Sequence, residues 1–285
     1  MIDLHAHTRA SDGELTSEAL IDLAISKGIK AIAITDHDTV DGLDSAIEYA
    51  KDKEIIFIPG IELEADIKNG QMHILGLFIQ HHEHNFVNKL EYISKTRSNR
   101  NDLFIEELNK MGFEICLEDL KQVSNGKTIG KPHFARVFLN KGYIKTKDEM
   151  FDKYLNKPPF SELKKSPYGP KDIIRMIKEA NGIAILAHPQ SLKLNDNELK
   201  KKIRELKEYG LDGIECYHSK QTKEEMIKYK KIANELDLLI TKGSDFHGPT
   251  IKPGTELGTG KNNNIISNEE NEMLEKIVLY NLKFD

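Results

Sequence analysis

Residues 1–37 have the sequence MIDLHAHTRASDGELTSEALIDLAISKGIKAIAITDH, and this stretch decides the fold. Residues 1–7 alternate apolar with polar side chains, which predicts a strand with Ile2, Leu4 and Ala6 on one face and Asp3, His5 and His7 on the other. A helix is predicted to begin after Thr16, a favourable capping residue, and to end near Gly28. The apolar run 31–35 predicts a second strand. A strand, a helix and a strand in this order are typical of a parallel β-α-β unit.

The same alternation continues along most of the chain. Further strands are predicted at 55–63, 72–79, 183–187, 213–217 and 238–242, and further helices at 43–51, 171–181, 196–209, 221–236 and 268–280. Between them, residues 86–168 contain a long helical stretch, shorter helical pieces and two proline-rich segments. We therefore expect an α/β protein in which residues 1–85 and 169–285 form a mainly parallel sheet or barrel. Residues 86–168 are predicted to form a helical insertion (cap) domain.

The composition of the 285-residue chain argues against several classes of protein. No segment approaches the roughly 18 consecutive apolar residues that a membrane span requires, and the N-terminus has no signal-peptide pattern. The chain has two cysteines, Cys116 and Cys216, and no CxxC motif, so we expect neither a disulfide framework nor a thiolate zinc site, and a cytoplasmic location. The net charge of -5 argues against a partner such as a long nucleic-acid duplex. Residues 86–170 are nevertheless basic, with 16 Lys and Arg against 11 Asp and Glu.

Histidines and carboxylates recur where the predicted strands end. They are His5, His7, Asp12, His37, Glu62, His73, His188, Asp245 and His247. In a parallel barrel the carboxyl ends of the strands meet at one rim, where active sites assemble. Six histidines and three carboxylates that converge at this rim need cations to neutralise the buried carboxylates. The sequence therefore predicts a metal centre.

Each of these residues, taken alone, has a simpler explanation. A lone histidine is usually a surface residue or a hydrogen-bonded core residue, and Glu64 is an alternative to Glu62 because both face the same side of a strand. His81, His82 and His84 form a polar cluster after the fourth strand, which we interpret as a surface loop. Only the joint pattern of nine residues indicates bound metal.

The motifs that carry this pattern resemble those of the PHP (polymerase and histidinol phosphatase) family. They are His5-Ala6-His7, Ser11-Asp12-Gly13, Thr35-Asp36-His37-Asp38, Gly60-Ile61-Glu62, His73, Ala187-His188-Pro189 and Ser244-Asp245-Phe246-His247. Their order and the insertion are similar to those of the TrpH-like phosphoesterases, a subgroup that acts on nucleoside 3′,5′-bisphosphates and on the 5′ ends of short RNA. The resemblance implies a distorted (β/α)7 TIM-like barrel with a trinuclear metal site.

The resemblance also implies which residues hold each ion. The first ion is expected on His5, His7, Glu62 and Asp245, the second on Glu62, His73 and His188, and the third on Asp12, His37 and His247. Because all these ligands offer nitrogen or oxygen, we expect two to three divalent ions of Mn, Zn or Fe. The implied reaction is hydrolysis of a nucleotide phosphomonoester or phosphodiester by a metal-activated hydroxide. The residues expected to be catalytic through the bound metals are His5, His7, Glu62, His188, Asp245 and His247.

Basic residues of the insertion are the predicted substrate contacts. Arg97 and Arg100 share one face of the long predicted helix. Lys131, His133 and Arg136 lie near a predicted helix start, and helix N-termini attract anions. The TrpH-like subgroup has a similar segment with arginine in place of Lys131, and lysine keeps the charge but not the bidentate geometry.

From these residues we expect the insertion to cover the metals and to bind a second phosphate or a nucleotide. The alternative is a solvated cap whose arginines pair with nearby acids such as Glu106 and Glu107. His218 follows a predicted strand near the same rim and is a further candidate for substrate contact.

Two other functions remain open from the sequence. Histidinol-phosphate phosphatases belong to the same family, but they tend to have histidine at the loop position that Asp12 occupies here. Non-catalytic PHP modules attached to polymerases usually lose ligands, whereas all nine positions carry ligand residues in this chain. We therefore expect an enzyme whose partner is a phosphorylated small molecule, a nucleotide or a short RNA, with no membrane partner. The oligomeric state is not predicted.

Overall fold

The computed structural model describes residues 1–124, 128–163 and 166–282. Over these residues the largest sheet has seven strands in chain order: β1 (Ile2–Asp3), β2 (Ala31–Ile34), β3 (Ile56–Ala65), β4 (Met72–Leu77), β5 (Ile183–Leu186), β6 (Gly213–His218) and β7 (Leu239–Gly243). A small hairpin pairs β8 (Thr255–Glu256) with β9 (Gly260–Lys261).

Helices cover the sheet and fill the insertion. They are α1 (Ser17–Ser26), α2 (Leu43–Ala50), α3 (His84–Lys110), α4 (Leu117–Ser124), α5 (Lys131–Asn140), α6 (Lys147–Met150), α7 (Pro170–Glu179), α8 (Asp196–Glu208), α9 (Lys223–Glu235) and α10 (Glu270–Asn281). The hydroxyl of Thr16 accepts from the amide of Ala19, so α1 has the predicted N-cap. Within the described parts of the chain, every helix is too short or too polar to traverse a bilayer.

Contacts beyond β1 and β7 bring the two edges of the sheet together. The amide of Leu4 donates to the carbonyl of Lys242 at 3.1 Å, and the amide of Asp245 donates to the carbonyl of His5 at 2.8 Å. The sheet is therefore a nearly closed barrel, which confirms the predicted fold class.

Strand β4 runs opposite to its neighbours, unlike any strand of a purely parallel barrel. Neighbouring strands are parallel except that β4 runs antiparallel to both β3 and β5. Only residues 66–71 separate β3 from β4. A parallel crossover needs about a dozen residues or more, so this short connection permits only antiparallel pairing.

Two hydrophobic clusters lie on opposite faces of the barrel wall. Ala31 and Ala33 belong to the inner cluster, whereas their neighbour Ile32 belongs to the outer cluster beneath the helices. The alternation predicted for residues 1–7 is wrong in one respect, because Leu4 belongs to the inner cluster and Ala6 to the outer. Regular pairing with β2 ends at Asp3, and the alternation breaks just beyond it.

Helix α10 covers the amino-terminal end of the barrel. Its residues Met273 and Ile277 belong to the inner cluster, and Glu270 Oε2 accepts from the amide of Ile2 at 3.0 Å. Glu270 Oε1 accepts from Nζ of Lys242, a fully buried lysine, at 2.6 Å. This ion pair fixes α10 to the barrel, and the opposite rim is left for the predicted ligands.

The insertion has its own core. Phe104, Phe134 and Phe138 are completely buried in a cluster formed by the helices α3 to α6 and the turns that follow them. Helix α3 belongs to both parts of the molecule, because Phe86 near its start packs in the outer barrel cluster and Phe104 packs in the insertion core. The assignment of residues 86–168 to a separate domain stays a prediction.

Candidate metal centre

The predicted ligands reach one rim from strands of both directions. His5 and His7 follow β1, His37 follows β2, His188 follows β5, and Asp245 and His247 follow β7. The expectation that each ligand ends a strand is wrong for Glu62, which lies within β3, and for His73, the second residue of β4. Because β4 runs antiparallel, its beginning lies beside the carboxyl end of β3, where Glu64 pairs with His73.

Glu62 lies at the centre of five imidazoles. Its Oε2 atom is 3.1–3.3 Å from three ring nitrogens, those of His5, His7 and His37. Its Oε1 atom is 2.7 Å from Nδ1 of His73 and 2.9 Å from Nε2 of His188. The two oxygens of one buried carboxylate thus face different sets of imidazoles.

Two aspartates complete the group. Asp245 Oδ1 lies 3.4 Å from Nε2 of His7 and 3.6 Å from Nε2 of His5. Asp12 Oδ1 lies 3.2 Å from Nε2 of His247 and 3.7 Å from Nδ1 of His7.

Within the described residues, three sets at this rim have ligand atoms that all lie within 4.8 Å of one another. They are His5, His7, Glu62 and Asp245; His7, Asp12, His37 and His247; and His37, Glu62 and His73. The first set is the one expected for the first ion. In the second set, His7 joins the three residues expected for the third ion.

The polar atoms of this group fit bound cations better than they fit one another. Among the described residues, Nε2 of His5, both ring nitrogens of His7 and Oε2 of Glu62 are buried without a hydrogen-bond partner. Two ligand atoms about 2.0–2.2 Å from a tetrahedral ion lie about 3.3–3.6 Å apart, close to the separations found here. The donors are nitrogen and oxygen, and the residues therefore fit divalent transition metals.

The charges of the centre also favour cations. Burial opposes the ionisation of Glu62, Asp12 and Asp245, but neighbouring histidines, together with Lys252 at Asp245, hold the pKa of each carboxyl well below its usual value. Burial lowers the pKa of His188 to about 4, which keeps this imidazole neutral. Burial opposes protonation of His7, but Asp245 and Glu62 raise its pKa to about 9, so without metal the positive charge among the three carboxylates is imidazolium. Bound cations would take the place of that charge.

Glu215 contacts two of the predicted ligands and is not among the residues predicted from the sequence. The side chain is fully buried; Oε1 lies 2.9 Å from Nδ1 of His5, and Oε2 accepts from the amide of His188 at 2.7 Å. A hydrogen bond at Nδ1 fixes the ring so that Nε2 of His5 faces Glu62. The only signal in the sequence was a charged residue within an apolar strand, since such residues are rarely buried without a partner.

Asp36 holds the loop that carries Asp12. Its Oδ1 atom accepts from the amide of Thr8 at 2.8 Å and from the hydroxyl of Ser11 at 2.5 Å, and Oδ2 accepts from the hydroxyl of Thr8 at 2.6 Å. Asp36 lies in the motif Thr35-Asp36-His37-Asp38, but no role was predicted for it.

The backbone is strained at two of the predicted ligands. His188 has a φ of 28° and Asp245 a φ of 57°, in the left-handed region that residues other than glycine seldom adopt. Strain of this kind persists where surrounding contacts impose it, and it concentrates at functional sites.

His218 and Lys252 both contact the outer oxygen of Asp245. His218 Nε2 lies 3.2 Å and Lys252 Nζ lies 2.6 Å from Oδ2 of Asp245. His218 is almost completely buried, so it positions this carboxylate. Its role as a substrate contact stays a prediction.

The two arginines of α3 pair with carboxylates of the barrel rather than with Glu106 or Glu107. Arg97 forms an ion pair with Asp38, and Nη1 of Arg100 lies 3.7 Å from Oε2 of Glu64. These contacts join the insertion to the loop after β2 and to β3. They also place Glu64, the alternative ligand, against an arginine.

A cleft of about 230 Å³ lies between the barrel rim and the insertion. Asp12 and Arg9 line it from the barrel, and His133 and Arg136 line it from α5. Nδ1 of His133 accepts from the amide of Gly130, which caps the helix. Lys131, the first residue of α5, is partly exposed. The structure thus brings His133 and Arg136 beside a predicted metal ligand.

The geometry agrees with comparisons to known proteins. The family model of the PHP domain matches residues 3–210. The chain belongs to the PHP family. It is 31% identical over 258 residues to a 5′-3′ exoribonuclease of Escherichia coli, covering 90% of this chain and 87% of the relative. It is 30% identical over 249 residues to a 3′,5′-nucleoside bisphosphate phosphatase of Chromobacterium violaceum, covering 87% of each chain.

A solved structure agrees with this one over nearly the whole molecule. It is that of a candidate metal-dependent phosphoesterase from Bifidobacterium adolescentis, with a TM-score of 0.82 and 28% identity over 97% of this chain and 95% of that one. The resemblance drawn from the motifs is therefore confirmed, and this PHP protein is a metal-dependent phosphoesterase.

Proposed function

We propose that this PHP protein hydrolyses phosphate esters of nucleotides, as a nucleoside 3′,5′-bisphosphate phosphatase, as a 5′-3′ exonuclease on short RNA, or as both. The observation that carries the proposal is the placement of Glu62, whose two oxygens face five imidazoles near a cleft that Arg9 and Arg136 line. The names of the Escherichia coli and Chromobacterium violaceum relatives support this class of substrate.

We propose that the centre holds two to three ions of Mn, Zn or Fe on the nine predicted ligands. When bound, such ions polarise phosphoryl oxygens and acidify water. The short separations around Glu62 support a shared carboxylate between neighbouring ions. Around this core, Glu215 orients the ring of His5, and Asp36 holds the loop of Asp12.

The cleft supplies the part of the site that distinguishes a nucleotide from a simple phosphate ester. Arg136 and Arg9 offer two permanently charged guanidinium groups there, and guanidinium binds phosphate bidentately. The cleft adjoins Asp12, so a substrate with one phosphate at the metal centre can present a second anionic group to these arginines.

The first test is phosphate release by the metal-stripped protein after loading with Mn²⁺. Adenosine 3′,5′-bisphosphate, a 5′-phosphorylated short RNA and histidinol phosphate would be compared at equal concentrations. We expect hydrolysis of a nucleotide substrate to dominate, and both a chelator and His5→Ala to abolish it. A preference for histidinol phosphate would move the protein to the other branch of the family, and inactivity on all three with metal bound would contradict the proposal.

Arg136→Ala tests the role of the cleft. Removing the guanidinium should raise KM for the bisphosphate by about tenfold or more, the effect of losing about 1.5–3 kcal/mol from a charged hydrogen bond. KM for phenyl phosphate should change little, because that substrate has no second phosphate. Arg175→Ala is the matched control, since Arg175 is an exposed arginine of α7 that pairs with Asp172. Equal effects of Arg136→Ala on both substrates would show that Arg136 does not bind the second phosphate.

We also propose the cytoplasm as the compartment of this enzyme. Its two cysteines are both free, with Cys116 exposed and Cys216 buried, which suits a reducing environment. The proposed partner is a phosphorylated small molecule or a short RNA.

A further inference from the structure

A second group of metal-binding side chains lies away from the centre around Glu62. Asp44 belongs to the first turn of α2, and His81 and His82 lie in the segment between β4 and α3. Nε2 of His81 lies 2.8 Å and Nε2 of His82 lies 2.9 Å from the same oxygen, Oδ1 of Asp44. Their ligand atoms all lie within 4.8 Å of one another.

The donor set of this group selects a class of ion. Two imidazole nitrogens and one carboxylate oxygen suit zinc and its neighbours cobalt, nickel and copper, whereas magnesium and calcium prefer oxygen alone. Ligand atoms of a tetrahedral zinc ion lie about 3.3 Å apart, so outward movement of about 0.5 Å would admit the ion. Three protein ligands leave the fourth position for water.

One of the three side chains is buried, and the other two are open to solvent. His81 is 7% exposed, so packing holds its ring in place. The side chains of Asp44 and His82 are 71% and 73% exposed, so an ion reaches them directly from solvent. The rings of His81 and His82 lie 4.1 Å apart between centroids, and the Nε2 atom of each faces the same oxygen of Asp44.

We propose that Asp44, His81 and His82 form a zinc site separate from the catalytic centre. The ion would connect the first turn of α2 to the segment that leads into α3. Because α3 continues from the barrel into the insertion, zinc at this site would stabilise the attachment of that helix to the barrel.

The test compares the metal content of variants. After stripping and dialysis against Zn²⁺, the wild type should retain one equivalent more than Asp44→Ala or His82→Ala. Loading with Co²⁺ should give a visible absorption band that is weaker by one ion's contribution in both variants. Because Asp44 and His82 are exposed, neither substitution should affect folding. Metal bound at the catalytic centre contributes equally to all the proteins, so the difference in zinc content reports only the site of Asp44, His81 and His82.

His84→Ala is the matched control. His84 is a neighbouring histidine that contacts Asn88 and lies outside the three-residue group. This variant should keep the extra equivalent of zinc, and zinc should raise its thermal midpoint as in the wild type. Phosphatase activity with Mn²⁺ should be the same in all four proteins, which separates this site from the proposed function. Equal zinc content in the wild type and both site variants would overturn the proposal.

Discussion

Glu215→Gln is the substitution that most directly tests how the metal centre is held. Both oxygens of Glu215 accept hydrogen bonds, one at Nδ1 of His5 at 2.9 Å and the other from the amide of His188 at 2.7 Å. Glutamine has one acceptor and one donor, so it cannot accept from both of these partners. If its amide nitrogen faces His188, two donors meet and a buried hydrogen bond is lost.

The opposite orientation of glutamine damages the centre in another way. An amide nitrogen that donates to Nδ1 of His5 requires that the ring proton move to Nε2. That atom is the one facing Glu62 and Asp245 at 3.3 and 3.6 Å, and a protonated nitrogen cannot bind a metal. Either orientation of the amide therefore weakens the ion expected on these residues.

The expected loss is about 10- to 100-fold in metal affinity, or about 1.4–2.7 kcal/mol, the range for residues that orient metal-binding histidines. Competition with a chromophoric chelator measures this affinity, and activity titrated with Mn²⁺ should shift to higher metal concentration by the same factor. At saturating Mn²⁺, most of the activity should return. Unchanged affinity in Glu215→Gln would refute the orienting role.

Glu270→Gln is the control for a general loss of stability. Glu270 is also a buried carboxylate, but it lies at the opposite end of the barrel with Lys242. This variant should unfold more easily and keep the metal affinity of the wild type. A similar loss of affinity in both variants would mean that Glu215 acts only through the stability of the barrel.

Two further predictions concern the barrel itself. Gly243→Ala should destabilise the protein by about 1–3 kcal/mol or more in urea unfolding and lower its metal content, because a Cβ atom there would lie 2.2 Å from Cβ of His5 and 2.7 Å from Oε1 of Glu215. Glu270→Gln should cost about 3–5 kcal/mol near pH 7, since it leaves the buried ammonium of Lys242 without its counter-charge. Burial opposes ionisation of Glu270, but Lys242 holds its pKa below the usual value. The stabilisation is therefore present above about pH 4.3 and is lost as the pH falls through the folded pKa, so the two proteins should converge in stability in acid. A stability difference that stays constant between pH 7 and pH 3 would contradict this account.

The parts of the fold that depend on neighbouring residues in the sequence, such as helix caps and apolar strands, could be predicted from the sequence. Thr16 caps α1 as expected, and the apolar strands of the barrel lie where their runs predicted them. The direction of β4 follows from the length of its connection, a signal that was present but not used. The break in alternation between Leu4 and Ala6 had no local signal, because this segment is held by distant parts of the chain: Leu4 bonds to Lys242, and Ala6 pairs with Phe246.

Most of the candidate ligands could be brought together from the sequence because they follow apolar strands, and the carboxyl ends of parallel strands meet at one rim of a barrel. The surrounding residues could not be predicted in this way. The role of Glu215 depends on β6 pairing with β5 and on its side chain reaching His5 past Gly243 of β7. The role of Lys252 depends on its loop reaching Asp245. Both roles depend on contacts between segments far apart in the chain.

The arginines of α3 illustrate the same limit for substrate contacts. A shared helix face shows that Arg97 and Arg100 point in one direction, but it does not show what lies there. In the structure each meets a barrel carboxylate, so both are already engaged in joining the insertion to the rim. If such a guanidinium exchanged its carboxylate for a phosphate, the gain in binding free energy would be only the difference between the free energies of the two ion pairs. Arg136 has the cleft beside Asp12 in front of it, so it is the better residue on which to test recognition of the second phosphate.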